Sequence, residues 1–87
     1  MKCKIKTTLE FDWDDIIRHH ECKIGKDTVD ITILDIDPVL RKIKILSKVG
    51  NAVETELVNL YENELGFLYF CYPNTYSEEI YIQESYL

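Results

Sequence analysis

The sequence predicts an α+β fold in the order β-α-β-β-α-β-β, which fits a ferredoxin-like split βαβ sheet with two helices on one face. Three observations point there. Residues 29–49 form two β-rich runs on either side of Asp37-Pro38, two other stretches repeat their apolar residues at helical spacing, and residues 67–86 return to aromatic, alternating sequence. With 87 residues in all, the chain is expected to be one domain, residues 1–87. A domain of that size buries only about 60–65% of the surface its unfolded chain exposes.

Residues 2–9 alternate, with Lys2, Lys4 and Lys6 on one side and Cys3, Ile5, Thr7 and Leu9 on the other, the period of a half-buried strand. Asp12 then precedes Trp13, Ile16, Ile17 and His20 at spacing i, i+3, i+4, i+7, with Asp14 and Asp15 where a helix dipole favours acids. This predicts a first helix over residues 13–22. A competing reading makes residues 16–24 a strand turning at Gly25-Lys26, because Ile16, His20, Cys22 and Ile24 also share a strand parity.

The central hairpin follows. Pro38 cannot donate a ladder hydrogen bond, which puts the turn there. A register that sets Ile31 and Ile33 against Ile43 and Ile45 also sets Asp30 and Thr32 across from Lys42 and Lys44. Asn51 and Glu54 have the spacing of a capping box and Gly66 stands where a helix C′ glycine would, with Val53, Leu57, Leu60, Tyr61 and Leu65 between them. These features predict a second helix over 52–65. Gly50-Asn51 as a hairpin signal and the placement of Glu62 and Glu64 at a helix C-terminus count against it. Strands over 67–72 and 79–86, separated by a turn at Pro73-Asn74-Thr75, complete the order. Right-handed crossovers would set the first strand beside that of residues 41–48. The helices would then cover Ile5, Leu9, Ile31, Ile33, Ile43 and Ile45, and Lys2, Lys4, Lys6, Lys42 and Lys44 would gather on the open face.

Charge is unevenly laid out within the net −6. Residues 1–48 hold all ten Lys and Arg with nine Asp and Glu, whereas residues 49–87 hold seven Glu, no basic residue and all six Tyr. An acidic region interspersed with tyrosine combines a negative field with aromatic anchors, which suits docking onto a basic protein groove. Glu54, Glu56, Glu62, Glu64, Glu78 and Glu79, with Tyr61 and Tyr76, are the candidate partner-binding residues. The expected partner is a protein with a basic surface, one that itself holds nucleic acid being a natural target for mimicry. The chain has the general type of small phage or mobile-element inhibitors, a likeness that rests on no motif. An aromatic last hairpin also offers an edge strand for a homodimer.

Direct nucleic-acid binding is the alternative, through Lys2, Lys4, Lys6, Lys42 and Lys44. That face lacks the aromatics and the RNP1 pattern of RNA-reading sheets, and lysine alone gives only salt-sensitive attraction. Enzymatic readings find little support. His19, His20 and Cys22 form the only cluster with nucleophilic or metal-ligating types, and on a helix His19 and Cys22 would be one turn apart, two ligands at most. Glu10, Asp12, Asp14 and Asp15, and Asp35 with Asp37, lack EF-hand order and read as caps and wet surface. Three isolated glycines allow no phosphate loop, so no cofactor is implied. Cys3, Cys22 and Cys71 are unpaired in spacing, which favours reduced thiols. No apolar run approaches the ~20 residues of a membrane span, and residues 1–4 do not open a signal peptide, so a cytoplasmic protein is expected.

Overall fold

The computed structural model describes residues 9–72 and 78–83. Its element order is a 3-10 turn at Trp13–Asp15 followed by β1 (His19–Ile24), β2 (Asp27–Asp37), β3 (Lys42–Val49), β4 (Ala52–Asn59), β5 (Tyr61–Glu62), β6 (Leu68–Cys71) and β7 (Glu79–Tyr81). The strands form two antiparallel sheets, one in the order β1-β2-β3-β4 and the other β5-β6-β7. The α+β expectation is therefore corrected: among the described residues no α-helix forms, and the ferredoxin-like order is not present.

Both helix expectations fail for the same physical reason. A helix of ten to fourteen residues is marginal without tertiary support, while β-branched residues gain from a pleated surface that can pack them. At residues 13–22 the Asp12 side chain does cap a turn, accepting from the Asp14 amide at 3.0 Å. That turn ends at once, because Ile16 bridges to Gln83 and the chain enters β1. The strand parity of His20, Cys22 and Ile24 prevails, with Gly25-Lys26 as a two-residue hairpin loop and Gly25 at φ +63. At 52–65, Gly50 at φ +58 closes the β3–β4 hairpin, and Val53, Thr55 and Val58 extend as β4.

The central hairpin lies where the sequence puts it. The Asp37 carboxylate accepts from the Val39 and Leu40 amides, both at 3.0 Å, so the turn after β2 is held by its own first residue. The register differs in detail. An irregularity between Ile33 and Asp35 puts Ile33 opposite Ile45 and Ile36 opposite Ile43, and leaves Ile31 opposite Ser47. Lys42, Lys44 and Lys48 accordingly face Asp37, Asp35 and Asp30 rather than Asp30 and Thr32 facing Lys42 and Lys44. The strand beside β3 on its far side is β4, not a first strand. Residues 2–8 of that first strand, with Lys2, Lys4, Lys6 and Ile5, lie outside the described residues. Leu9 is buried, its amide on the Pro38 carbonyl at 3.3 Å.

What covers the isoleucines is the second sheet instead of helices. Val29, Ile31, Ile33, Ile36, Ile43, Ile45 and Val58 pack in one cluster with Leu60, Leu68, Phe70 and Ile82. The two sheets are joined on both sides. Buried Leu60 links β4 to β5, and on the opposite side Ile17 donates to the Ile82 carbonyl at 2.7 Å while Ile33 donates to Arg18 at 2.8 Å. Segment 16–24 thus belongs to both sheets. No described helix is long and apolar enough to cross a membrane.

Candidate docking surface

The second sheet is organised by alternation. In β6, Leu68 and Phe70 point into the core and Tyr69 and Cys71 point out, while Ile80 and Ile82 flank Tyr81 in the same way. Tyr61 stands opposite Tyr69 and Tyr69 opposite Tyr81, so three rings line up on the outer face. Their centroids are 5.5 Å and 5.1 Å apart at interplanar angles of 29° and 41°. Offset contacts of this kind contribute about 0.5–1.5 kcal/mol each beyond area burial.

Polar groups fix the ladder at both ends. Asn59 donates to the Tyr61 hydroxyl at 3.4 Å; the Tyr81 hydroxyl donates to Glu79 at 2.7 Å and accepts from Asn63 at 3.5 Å. Asn63 itself is held by the β5–β6 turn, its side-chain oxygen accepting from the Leu65 and Phe67 amides at 3.0 Å and 2.9 Å. Desolvation, then the Glu79 carboxylate, then Cys71 and Tyr61 push the Tyr69 hydroxyl above its ordinary pKa, so it remains protonated at neutral pH. The three rings thus contact one another in stacked and tilted pairs along one face of the second sheet.

The acidic residues divide into two groups. Glu62, Glu64, Glu78 and Glu79 are all exposed, on β5, its following turn, the residue before β7 and β7 itself. Glu79 shares the ladder face, whereas Glu62 stands opposite inward-facing Leu68 and so lies on the other face of β5 from Tyr61. Glu62 lies 3.9 Å from Arg41. Glu54 and Glu56 sit on β4, opposite Ser47 and Ile45, with about 20 Å of extended chain between Glu56 and Glu62. Every residue from 50 to 57 is exposed. Tyr76 lies outside the described residues. Sequence reasoning missed Tyr69, Tyr81, Asn59 and Asn63 as surface residues; the signal was there, a single tyrosine flanked by apolar neighbours in each strand of the last hairpin.

The lysine face is only partly described and is locally balanced. Lys42 and Lys44 lie on the open face of β3, where Asp37 and Asp35 are their direct cross-strand neighbours, and Lys42 also bonds the Asn59 side-chain oxygen. The His19, His20 and Cys22 cluster comes apart on a strand. His19 faces the open side, bonded to the Thr32 hydroxyl at 3.3 Å, while His20 and Cys22 face the core side. His20 bonds the Ile17 carbonyl at 2.6 Å and meets Phe70 edge to face at 6.0 Å; burial is the main cause of its lowered pKa. Burial, then Glu78, raises the Cys22 thiol. Among the described residues no three His, Cys, Asp or Glu side chains converge as a metal site requires. Cys22 and Cys71 are free thiols. Comparison with protein families, curated proteins and solved structures finds no match to this chain.

Proposed function

We propose that this is a small cytoplasmic binding protein, without enzymatic activity, that works by stoichiometric contact. It docks its acidic, tyrosine-bearing half onto a basic surface of a protein partner, of the kind that otherwise holds nucleic acid. The observation that carries this reading is the ordered ladder Tyr61–Tyr69–Tyr81 with Glu79 bonded to the Tyr81 hydroxyl, in a half of the chain where Glu62, Glu64 and Glu78 are also exposed. Aromatic side chains already held in place lose little conformational freedom on binding, and a negative rim speeds encounter with a positive patch. The nucleic-acid alternative is weaker, since Asp35 and Asp37 offset Lys44 and Lys42 across the strand.

Affinity capture with the tagged full chain at low and high salt tests the proposal. Wild type is expected to retain a basic protein in one-to-one ratio, with Tyr61→Ala plus Tyr69→Ala losing it and Glu62→Gln plus Glu64→Gln holding it less well as salt rises. Identical recovery by all three proteins would remove the surface from the account.

A further inference from the structure

We propose that the outer edge of β4 accepts an extended basic segment of the partner as an added antiparallel strand. The inference rests on the docking reading above and gives its Glu54–Glu56 portion a mode of binding and a ligand chemistry. β4 is last in its sheet, and among the described residues nothing pairs with residues 52–57 on the outer side. A free row of amides and carbonyls is a template for another strand, which proteins usually blunt with lysine, proline or a bulge. β4 has no lysine, proline or bulge, its register with β3 running unbroken from Lys42–Asn59 to Val49–Ala52, and the charges it does carry, Glu54 and Glu56, repel an acidic strand but not a basic one.

The side chains specify what fits. Alternation places Val53, Thr55 and Leu57 on the open face and Glu54 and Glu56 on the other, with Val53 54% and Leu57 65% exposed. A second copy is a poor occupant. The two-fold antiparallel registers that best overlap this stretch, centred on Glu54, Thr55 or Glu56, set Glu54 against Glu54, Glu54 against Glu56, or Glu56 against Glu56, and like charges directly opposite are destabilising. A partner segment reading apolar, basic, any residue, basic, apolar sets its cations against Glu56 and Glu54 and its apolar groups against Leu57 and Val53.

The test is fluorescence anisotropy of the full chain with a labelled peptide whose core is valine, arginine, threonine, lysine, valine. Saturable binding is expected, weakened about tenfold or more by Glu54→Lys plus Glu56→Lys, which in turn gains affinity for the peptide with glutamate at both basic positions. Methylating the peptide amides that face β4 is expected to abolish binding, because charge is kept while the ladder bonds are lost. Equal binding of the methylated peptide would reduce the effect to charge alone and overturn strand addition. Residues 3–7 of this chain, Cys-Lys-Ile-Lys-Thr, have a related alternation. Binding seen only after Lys4→Glu plus Lys6→Glu would name them as the occupant and overturn the partner proposal. No binding in any variant, with tyrosine-dependent capture intact, removes the edge and leaves the ladder reading standing. Loss of both removes the docking reading itself.

Discussion

β3 and β4 are neighbours of equal length, paired at eight positions, yet they are used differently. β3 buries Ile43, Ile45 and Ser47, with Ser47 donating to the Glu54 carbonyl at 3.4 Å; β4 buries only Val58. The second sheet reaches β4 only at its Val58 end and leaves residues 52–57 uncovered. Folding energy is concentrated where the sheets overlap, and the exposed length of β4 is carried by its pairing to β3. The contrast teaches that strand formation and core burial are separable along a single hairpin. A strand that is ordered and unburied is available for recognition.

Substitutions in the overlap are expected to break the contrast most. Ile45→Ala or Phe70→Ala, both at fully buried positions, should cost about 2–5 kcal/mol by urea unfolding, enough to unfold much of a domain of this size. Tyr69→Leu should cost about 1–3 kcal/mol, as two ring contacts are lost while an apolar body remains. A loss no larger than at an isolated surface site would show that the ladder is not packed in solution.

pH gives a smaller and directional effect. Burial holds the His20 pKa below its ordinary 6.5, so the unfolded chain binds the proton more readily than the folded one. Stability is therefore full above that value and falls as pH drops through 6.5 toward the lower folded pKa, by at most about 1.4 kcal/mol per pH unit from this group. Unfolding midpoints of wild type and His20→Gln between pH 7.5 and 5 should converge on the acid side. Parallel curves would mean that His20 is as solvated folded as unfolded. The smallest effect is expected on β4: Leu57→Thr should change stability by no more than about 0.5 kcal/mol.

The sequence made the centre of the fold legible and its cover illegible. Alternating isoleucines with Pro38 at the turn identify β2 and β3, and the aromatic run at 67–72 with the alternation of Ile80 and Ile82 identifies the last hairpin. Trp13, Ile16, Ile17 and His20 satisfy a helical period while His20, Cys22 and Ile24 satisfy a strand period. Only pairing with Thr32, Ile31 and Val29 decides between them. The same holds for residues 52–65, where the Gly50-Asn51 loop outweighs a capping box whose helix would have no sheet face left to cover. The acidic half was visible from composition. That Tyr61, Tyr69 and Tyr81 meet was not, because their meeting depends on two strand registers at once.

Residue-by-residue amide hydrogen exchange on the full chain tests the central contrast most directly. The account predicts slow exchange for the amides of β3 and β6 and fast exchange for the outward-directed amides of residues 52–57, which become protected when the basic peptide is added. Amides of 52–57 as slow as those of β3 before any ligand is present, or unchanged after it, would contradict it.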